Sequence, residues 1–257
     1  METEVIYVGD CVEIMKQLPD CCVDLVFADP PYGMSPSDGN PLTPLSRPDG
    51  TSFHGMSQEW DKFSGSAEYN NFTSLWLTQV HRVLKDDGCL WVIGSHHNIF
   101  HIGSCLVHTG WFILNSVIWV KNNPPPQFRG VRFCNSVETI IWCVKSRKAK
   151  YHFDYHLAKE MNGGKQMRAD WHLPICTGRE RIKIDGKKAH PNQKPEEILR
   201  RIISITSEKD DIILDPFFGT GTTGAVAQKL GRRWIGVERN ENYADVAYNR
   251  LSNLKVD

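Results

Sequence analysis

The tetrapeptide Asp29-Pro30-Pro31-Tyr32 follows directly on an apolar run, residues 23–28, and contains groups suited to reaction at an exocyclic aromatic amine. Such an amine is a poor nucleophile, because its lone pair is conjugated with the ring. The Asp29 carboxylate and the Pro30 carbonyl can each accept one amine hydrogen, and the rigid prolines fix the direction of that carbonyl. Tyr32 offers a face on which a base turned out of a nucleic-acid helix can stack. Direct displacement then requires positioning more than a strong base.

A second motif, at positions 215–224, is a glycine-rich turn between a predicted strand and a predicted helix. This order lets the backbone approach a nucleotide-like ligand closely, because glycines carry no Cβ. The next predicted strand ends at Glu238, near the position where Rossmann-type folds place a carboxylate on ribose hydroxyls. Asp215 suits a cationic ligand group, such as the amino group of a methionine moiety. A lone G-x-G is a weak signal, and the form G-T-G-T-T-G makes dinucleotide binding the less favoured alternative.

The charged residues are balanced overall, with 30 Lys and Arg against 30 Asp and Glu, which argues against a nonspecific coat on nucleic acid. Their distribution is uneven. Residues 1–70 hold twelve acids and three bases, whereas residues 121–150 hold seven bases and one acid. A basic middle segment in a neutral chain is typical of one face that binds a polyanion, with a solvated Lys/Arg surface as the alternative.

The apolar pattern predicts alternating strands and helices, and therefore an α/β fold with a largely parallel sheet. The seven predicted strands are residues 4–8, 23–28, 89–94, 111–120, 136–145, 212–214 and 233–237. Apolar positions spaced for one helical face predict helices at residues 11–18, 72–83, 196–207, 221–230 and 243–254. The chain is interpreted as a single catalytic domain, residues 1–257.

Three stretches carry no regular pattern. Residues 33–65 are rich in Gly, Pro, Ser and Asp, and so long a loop within a compact domain is usually functional. The prolines of residues 122–135 exclude both a helix and a central strand. Residues 146–189 are polar and receive no assignment. We expect the loop 33–65 and segments around 121–189 to contact a bound polymer.

Other features of the sequence bear on the compartment. None of the eight cysteines forms a C-x-x-C pair, and several lie in apolar runs, so we expect reduced, buried thiols and no metal site. No apolar run reaches the roughly 18 residues of a membrane-spanning helix. The N-terminus METEVIYVGD lacks the basic region of a signal peptide. We therefore expect a cytoplasmic protein with no membrane partner.

The two motifs belong to a longer series of sequence blocks. Through this series the chain resembles the β class of amino-methyltransferases and, within it, the CcrM- and HinfI-type DNA adenine methyltransferases that modify GANTC. The resemblance extends over nearly all 257 residues. The blocks, in chain order, are GDC at 9–11, LVFADPPY at 25–32, LKDDG at 84–88, WVIGS at 91–95, HNIF at 97–100, WFILN at 111–115, RFCN at 132–135, CTGRERIK at 176–183, KKAHPNQKPE at 187–196 and DPFFGTGTTGA at 215–225.

The resemblance implies the three-layer, Rossmann-like fold of S-adenosylmethionine-dependent methyltransferases, with a mostly parallel, seven-stranded sheet. The order of the motifs implies a circular permutation, because the catalytic strand precedes the cofactor strand and both must meet at the carboxyl edge of one sheet. The implied reaction is site-specific methyl transfer to adenine N6 in duplex DNA, in a bacterial or phage-encoded enzyme. The form DPPY, in place of SPPY, favours adenine N6 over cytosine N4.

The resemblance also assigns roles to matching residues. The catalytic group would be Asp29, Pro30, Pro31 and Tyr32. Around the methionine part of S-adenosylmethionine would lie Asp215, Pro216, Phe217, Gly219, Thr220, Gly221 and Thr222. Glu238 would hold the ribose, and Lys194, in an H-P-x-Q-K-P block, would lie near the cofactor carboxylate. Beside the cofactor adenine would lie Asp10 and Cys11.

Recognition of duplex DNA is expected from side chains outside these motifs. Arg favours guanine edges and Asn favours adenine edges, whereas the lysines after position 144 suit phosphate. The candidates are Arg47 and Trp60 in the loop 33–65, and Asn122, Asn123, Arg129, Arg132 and Asn135 in the second segment. A homodimer is inferred from the class, and no metal is required.

Three alternatives remain open: a cytosine-N4 DNA methyltransferase, a regulator that binds DNA and cofactor without catalysis, and an enzyme that acts on RNA. The GANTC enzymes carry a further C-terminal domain, whereas this sequence ends at Asp257. We therefore expect DNA affinity, dimer geometry and strand separation to differ from theirs. The recognition sequence follows less directly from the resemblance than the chemistry does.

Overall fold

A computed structural model describes residues 1–33, 45–46, 52–53, 61–127 and 130–254. The strands in these ranges are β1 (Val5–Val8), β2 (Val23–Ala28), β3 (Leu45–Ser46), β4 (Ser52–Phe53), β5 (Leu84–Gly94), β6 (Phe112–Lys121), β7 (Val137–Val144), β8 (Asp170–Leu173), β9 (Lys183–Ile184), β10 (Lys187–Lys188), β11 (Ile212–Asp215) and β12 (Arg233–Glu238). The α-helices are α1 (Cys11–Gln17), α2 (Ser66–Val83), α3 (Ile99–His108), α4 (Tyr155–Met161), α5 (Glu196–Thr206), α6 (Thr222–Lys229) and α7 (Glu241–Ser252).

Eight of these strands form one sheet, in the order β1-β12-β11-β2-β5-β7-β6-β8. Each neighbouring pair in it is parallel except the two pairs that include β7, so β7 runs against the other seven strands. Strand β11, from the C-terminal part of the chain, lies beside β2 from the N-terminal part, with Leu214 opposite Val26. The predicted α/β fold and the permuted order of its motif strands are therefore confirmed.

The expected count of seven strands in this sheet is corrected to eight, because β8 extends its edge. Strand β8 pairs in parallel with β6, with Trp171 opposite Trp119. Its buried Trp171 and Leu173 alternate with the exposed His172, but four residues within a polar segment are too few for that alternation to predict a strand. Helices α3 and α4 were likewise not predicted. Helix α3 buries Ile99, Ile102, Cys105 and Leu106 on one face.

The helices cover both faces of the large sheet. Successive residues of β2 point to opposite faces, so Val26 packs in the core under α1, α2 and α3, whereas Phe27 packs in the core under α5, α6 and α7. Trp76 of α2 in the first core and Ile198 of α5 in the second have no exposed surface. The resulting three layers, helices on either side of a sheet, confirm the expected architecture.

All eight cysteines are free thiols, and the buried ones are Cys11, Cys89, Cys105, Cys143 and Cys176. Cys21 and Cys134 are exposed, contrary to the general expectation of buried thiols. In the described ranges, no helix combines the length and apolar character needed to cross a bilayer. Nor do these ranges contain a group of three or more His, Cys, Asp or Glu side chains placed to hold a metal ion.

Candidate active site

The two motifs lie at the same edge of the sheet. Strands β2 and β11 are parallel neighbours, so the residues that follow them, Asp29 and Pro216, emerge side by side. Both loops line one cavity of about 380 Å³. The start of α1, the end of β12 and residues 190–194 contribute to the same walls. The structure therefore brings together the predicted catalytic and cofactor residues, which lie almost two hundred positions apart in the sequence.

Asp215, the last residue of β11, is buried at the wall of this cavity. Its Oδ1 accepts a hydrogen bond from the Phe217 amide at 2.9 Å, and its Oδ2 accepts one from the Thr223 hydroxyl. Burial raises the pKa of Asp215 to about 7, although both hydrogen bonds act to lower it. A carboxyl group held in this state gains from a cationic ligand, which would restore its ordinary ionisation.

The glycine-rich turn has a backbone that requires its glycines. Gly219 and Gly221 have φ of +53° and +76°, and a Cβ on Gly221 would lie 3.0 Å from the Ala247 Cβ. The Gly219 amide donates to Glu238 Oε2 at 2.7 Å, and Glu238 Oε1 accepts from the Asn240 amide at 2.8 Å. The turn and the end of β12 therefore fix the Glu238 carboxylate at the cavity.

Two further residues of the turn are fixed by Arg250 of α7. Its Nη1 donates to the Thr220 carbonyl and to the Thr222 hydroxyl, both at 3.1 Å. Phe217, the next predicted residue, packs edge-on against Trp76 with ring centroids 5.4 Å apart. These contacts hold the turn against helices on both faces of the sheet.

Asp10 and Cys11 lie where β1 leads into α1, on the cavity wall. Asp10 caps this helix, because its carboxylate accepts hydrogen bonds from the Val12 amide at 2.9 Å and the Glu13 amide at 3.3 Å. Burial raises the pKa of the Cys11 thiol to about 12, so it is a neutral, apolar wall at physiological pH. The structure thus gives Asp10 a local role in addition to the one that the resemblance implies.

The loop after β2 is held by buried side chains that the sequence did not single out. The Asp61 carboxylate accepts hydrogen bonds from the amides of Tyr32, at 2.6 Å, and of the next residue, at 2.8 Å. The Tyr69 hydroxyl donates to the Pro31 carbonyl at 2.8 Å, and Asn98 Nδ2 donates to the same carbonyl at 3.3 Å. We call Asp61, Tyr69 and Asn98 the loop clamp, because together they fix the backbone from the Pro31 carbonyl to the amide of residue 33.

The catalytic-motif side chains belong to a buried ionic cluster. Lys194 Nζ lies 2.7 Å from Asp29 Oδ2, and the Tyr32 hydroxyl donates to Glu138 Oε2 at 3.0 Å. Lys121 Nζ lies 2.7 Å from Glu138 Oε1, and Lys194 Nζ lies 3.9 Å from Glu138 Oε2. Lys194 and Glu138 are only 5% and 6% exposed, so this is an interior cluster of two acids and two bases.

The environment shifts the acids of this cluster in opposite directions. Burial raises the pKa of Asp29, and the neighbouring Lys194 only partly opposes that effect. Burial also disfavours ionisation of Glu138, but Lys194 and Lys121 outweigh it and lower the pKa of that carboxyl. The Tyr32 hydroxyl also interacts with Asp29, but its single hydrogen is donated to Glu138. Among the described residues, nothing donates to the buried Asp29 Oδ1.

His190 lies on the cavity wall near the glycine-rich turn, against the Tyr243 ring at a centroid distance of 4.7 Å. Burial, helped by Lys194 and Arg181, lowers the pKa of His190 to about 4. The imidazole is therefore neutral at physiological pH and adds no positive charge to the cavity.

The predicted DNA-contact residues do not all lie together in the structure. Asn122 and Asn123 follow β6, and Asn123 Oδ1 accepts a hydrogen bond from the Ile175 amide at 2.9 Å. Arg132 and Asn135 are exposed on the segment that leads into β7. This segment lies at the same edge of the sheet as the cavity, because β7 begins there. Arg47, Trp60 and Arg129 lie outside the described residues.

Lys121, Glu138 and the loop clamp were not predicted from the sequence. A signal for Glu138 was present, because it is the one acid inside the apolar strand pattern VETIIWCV, and a charge buried in a strand needs a partner. Lys121 closes strand β6 and was counted only with the surface bases. No local pattern indicates Asp61, because its partners lie 28 and 29 positions away.

Comparison with known proteins shows sequence similarity over most of the chain. A family model described as DNA methylase, N6_N4_Mtase, matches residues 23–249. The type II methyltransferase M.HinfI of Haemophilus influenzae is 50% identical over 248 residues, which are 96% of this chain and 68% of that protein. The type II methyltransferase M2.MboI of Moraxella bovis is 41% identical over 249 residues, which are 97% of this chain and 88% of that protein.

A solved structure extends the similarity to three dimensions. The complex of M1.HpyAVI with SAM matches with a TM-score of 0.69 and 28% sequence identity, over 96% of this chain and 98% of that chain. Both motif strands, β2 and β11, also lie within the residues that the family model matches.

Proposed function

The chain belongs to the N6_N4_Mtase family of DNA methylases and is a site-specific DNA methyltransferase that uses S-adenosylmethionine, and we propose that it methylates the N6 amine of adenine in duplex DNA. In this proposal the target adenine leaves the DNA helix and enters the cavity between Asp29 and the glycine-rich turn. The family name covers N6 and N4 chemistry, so the target base is part of the proposal.

The observation that carries the proposal is the buried Asp29 Oδ1, which no described group donates to. A buried acceptor without a donor is costly unless a ligand completes it. One hydrogen of the adenine amine would supply that donor, and the Pro30 carbonyl would accept the other. The nitrogen lone pair is then released from conjugation and can attack a methyl group aligned with it.

Tyr32 is the proposed stacking surface for the flipped base. Its hydroxyl is held by Glu138 and its amide by Asp61, so the ring has a fixed orientation before DNA binds. A fixed aromatic ring stacks a base without losing further side-chain freedom, which favours the extrahelical state. The loop clamp, through the Pro31 carbonyl, would keep Asp29 and Tyr32 in this relation.

S-adenosylmethionine supplies an electrophilic methyl group on a sulfonium. We assign its amino group to Asp215, whose raised pKa and burial at the cavity suit a cation. Glu238 would hold the ribose hydroxyls through the acceptor positions that its two amide contacts leave free. Phe217 and the space left by Gly219 and Gly221 would surround the methionine, and residues 10–11 would lie by the adenine.

The remaining assignments follow the resemblance to the HinfI-type enzymes. They are recognition of GANTC, DNA contacts from the loop 33–65 and from segments around 121–189, a single catalytic domain, a homodimer and a cytoplasmic location. The role of Lys194 at the cofactor carboxylate stays a prediction, because its ammonium group lies on Asp29 in the structure.

The target base is tested by mass spectrometry of nucleosides from DNA methylated in vitro. We expect N6-methyldeoxyadenosine as the product. N4-methyldeoxycytidine would establish the cytosine rival, and methylation of RNA in preference to duplex DNA would establish another substrate. Binding of DNA and cofactor without any product would favour a non-catalytic regulator. Sequencing a methylated plasmid with a modification-sensitive method then gives the recognition site.

A further inference from the structure

Lys194 occupies a position that the proposed substrate must also occupy. Its Nζ lies over the Tyr32 ring, 5.1 Å from the centroid, where a flipped base would stack. The same ammonium group lies 2.7 Å from Asp29 Oδ2 and occupies an acceptor position of the carboxylate that must accept the amine hydrogen. The cation and the target base therefore compete for one ring face and for one carboxylate.

A second carboxylate lies within reach of the same ammonium group. Glu138 Oε2 is 3.9 Å from Lys194 Nζ, against 2.7 Å for Asp29 Oδ2. A lysine has a flexible four-carbon stem, so a change of rotamer can close the longer distance. Lys121 and the Tyr32 hydroxyl already hold Glu138 in place, at 2.7 Å and 3.0 Å.

The need for this second carboxylate follows from burial. The Lys194 side chain is 4% exposed, and an ammonium group that left Asp29 without a new partner would be an unpaired charge in the interior. Movement to Glu138 keeps the ammonium group paired, while Asp29 gives up its cation and receives the hydrogen of the amine in its place. The cluster therefore has two arrangements with the same total charge, one with Lys194 on Asp29 and one with Lys194 on Glu138.

We propose that Glu138 is a positioning residue for methyl transfer, which receives the Lys194 ammonium group when the flipped adenine stacks on Tyr32. This inference rests on the proposed function, because the incoming adenine drives the exchange. Glu138 contacts neither the base nor the cofactor in this scheme and acts through Lys194 and Tyr32. The exchange releases Asp29 Oδ2 from the ammonium group when the amine binds, so the carboxylate accepts the amine hydrogen without a competing cation.

The pH dependence of methyl transfer distinguishes the effect of Lys194 on Asp29 from the effect of Glu138. The charged groups that face Asp29 are Lys194, Glu138 and, on β11, Asp215, with the Tyr32 hydroxyl beside them. Lys194 lowers the pKa of Asp29 and Glu138 raises it. Since only ionised Asp29 accepts the amine hydrogen, Lys194→Met should move the acidic limb of the rate profile to higher pH. Glu138→Gln should move that limb to lower pH.

The main experiment measures single-turnover methyl transfer at saturating cofactor in a double-mutant cycle. Glu138→Gln should slow transfer by about tenfold or more, because a neutral amide cannot compete for the ammonium group. The double variant Glu138→Gln/Lys194→Met, assayed on its alkaline plateau, should be faster than Glu138→Gln, because the competitor of the base is absent. Glu197→Gln, a charge loss on α5 away from the cavity, should transfer at the wild-type rate.

Two results of this cycle would overturn the inference. One is an unchanged rate in Glu138→Gln. The other is a double variant as slow as Glu138→Gln or slower, because a residue that only supports Tyr32 is not rescued by removing Lys194. Wild-type enzyme that methylates no adenine would instead contradict the proposed function, and the two failures are thereby distinguished.

A measurement without substitutions covers the case in which Glu138→Gln fails to fold. In a crystal structure of the wild-type enzyme with duplex DNA and sinefungin, Lys194 Nζ should lie within about 3.2 Å of a Glu138 oxygen and no longer over Tyr32. Lys194 still bonded to Asp29, with the target adenine in the cavity, would contradict the exchange.

Discussion

The two halves of the cavity are assembled in different ways. The half proposed to bind the cofactor, called the cofactor half, consists of residues 215–238 and the start of α1. Its central contact, from the Gly219 amide to Glu238, joins residues 19 positions apart. The half proposed to act on the base, called the catalytic half, consists of residues 29–32, the loop clamp, Glu138 and Lys194. It joins Tyr32 to Glu138 over 106 positions and Asp29 to Lys194 over 165. Residues 215–238 of the cofactor half are local in sequence, whereas the catalytic half depends on the whole sheet.

The difference indicates how substitutions should act. A change in the cofactor half alters a preformed binding surface, so it should mainly change the affinity for S-adenosylmethionine. A change in the catalytic half alters the relation between Asp29, Tyr32 and the base, so it should mainly change the rate of transfer. This division would be wrong if a single substitution changed the cofactor affinity and the rate of transfer together.

The largest effect on the cofactor half is expected from Gly221→Val. A side chain at φ +76° costs about 1–3 kcal/mol in backbone strain, and overlap with Ala247 costs a similar amount. We expect the affinity for S-adenosylmethionine, measured by calorimetry, to fall by about a hundredfold or more. Gly163→Val, at φ +64° with open space around its Cβ, is the matched control and should bind cofactor normally. Equal losses in both variants would assign the effect to general instability.

A smaller effect is expected from Asp215→Asn, which removes the proposed partner of the cofactor amino group. The affinity should fall by about tenfold or more, as for the loss of a charged hydrogen bond. In the wild-type enzyme burial raises the pKa of Asp215 to about 7, and only the ionised form attracts a cation. Cofactor affinity should therefore weaken as the pH falls through about 7, and Asp215→Asn should lose this dependence. Persistence of the pH dependence in the variant would point to another group.

Substitutions in the loop clamp should lower the rate of methyl transfer and leave the affinity for S-adenosylmethionine unchanged. Tyr69→Phe removes the 2.8 Å hydrogen bond to the Pro31 carbonyl, and Asn98→Ala removes the second donor at 3.3 Å. Each should lower kcat by about threefold to tenfold, the usual worth of one neutral hydrogen bond, with cofactor affinity unchanged. A loss of cofactor affinity equal to the loss in kcat would show that the two halves are not independent.

The smallest effect is expected at Cys11. Because burial raises the pKa of its thiol to about 12, Cys11 carries no thiolate at pH 7 and is not a nucleophile. Iodoacetamide followed by peptide mass spectrometry should label the exposed Cys21 and Cys134 and leave Cys11 unmodified. Rapid labelling of Cys11, with loss of activity that S-adenosylmethionine prevents, would give this residue a chemical role that the structure does not support.

The difference between the two halves of the cavity also explains which features could be predicted from the sequence. The strand-turn-helix order around Asp215 and the apolar strand before Asp29 are local patterns, and parallel pairing of β2 with β11 brings them together as expected. The pairing of Glu138 with Tyr32 depends on the position of β7 in the sheet, two strands from β2. No spacing rule indicates that position, so the ionic cluster could not be predicted from the sequence.

Edge strand β8 and the loop clamp show the same limit. Strand β8 is defined by its pairing with β6, and Asp61 by amides that lie 28 and 29 positions earlier in the chain. Lys194 is the instructive intermediate case, because its sequence block was recognised and its partner was not. The resemblance placed it at the cofactor, whereas in the structure it bonds to Asp29.

The central claim is that Asp29 acts on the target amine while the glycine-rich turn holds the cofactor independently. The most direct measurement compares wild type and Asp29→Ala by tritium transfer from labelled S-adenosylmethionine to duplex DNA and by calorimetric titration of the cofactor. We predict that the variant loses transfer by about a thousandfold or more and binds the cofactor within a few-fold of wild type. Normal transfer by Asp29→Ala would contradict the account.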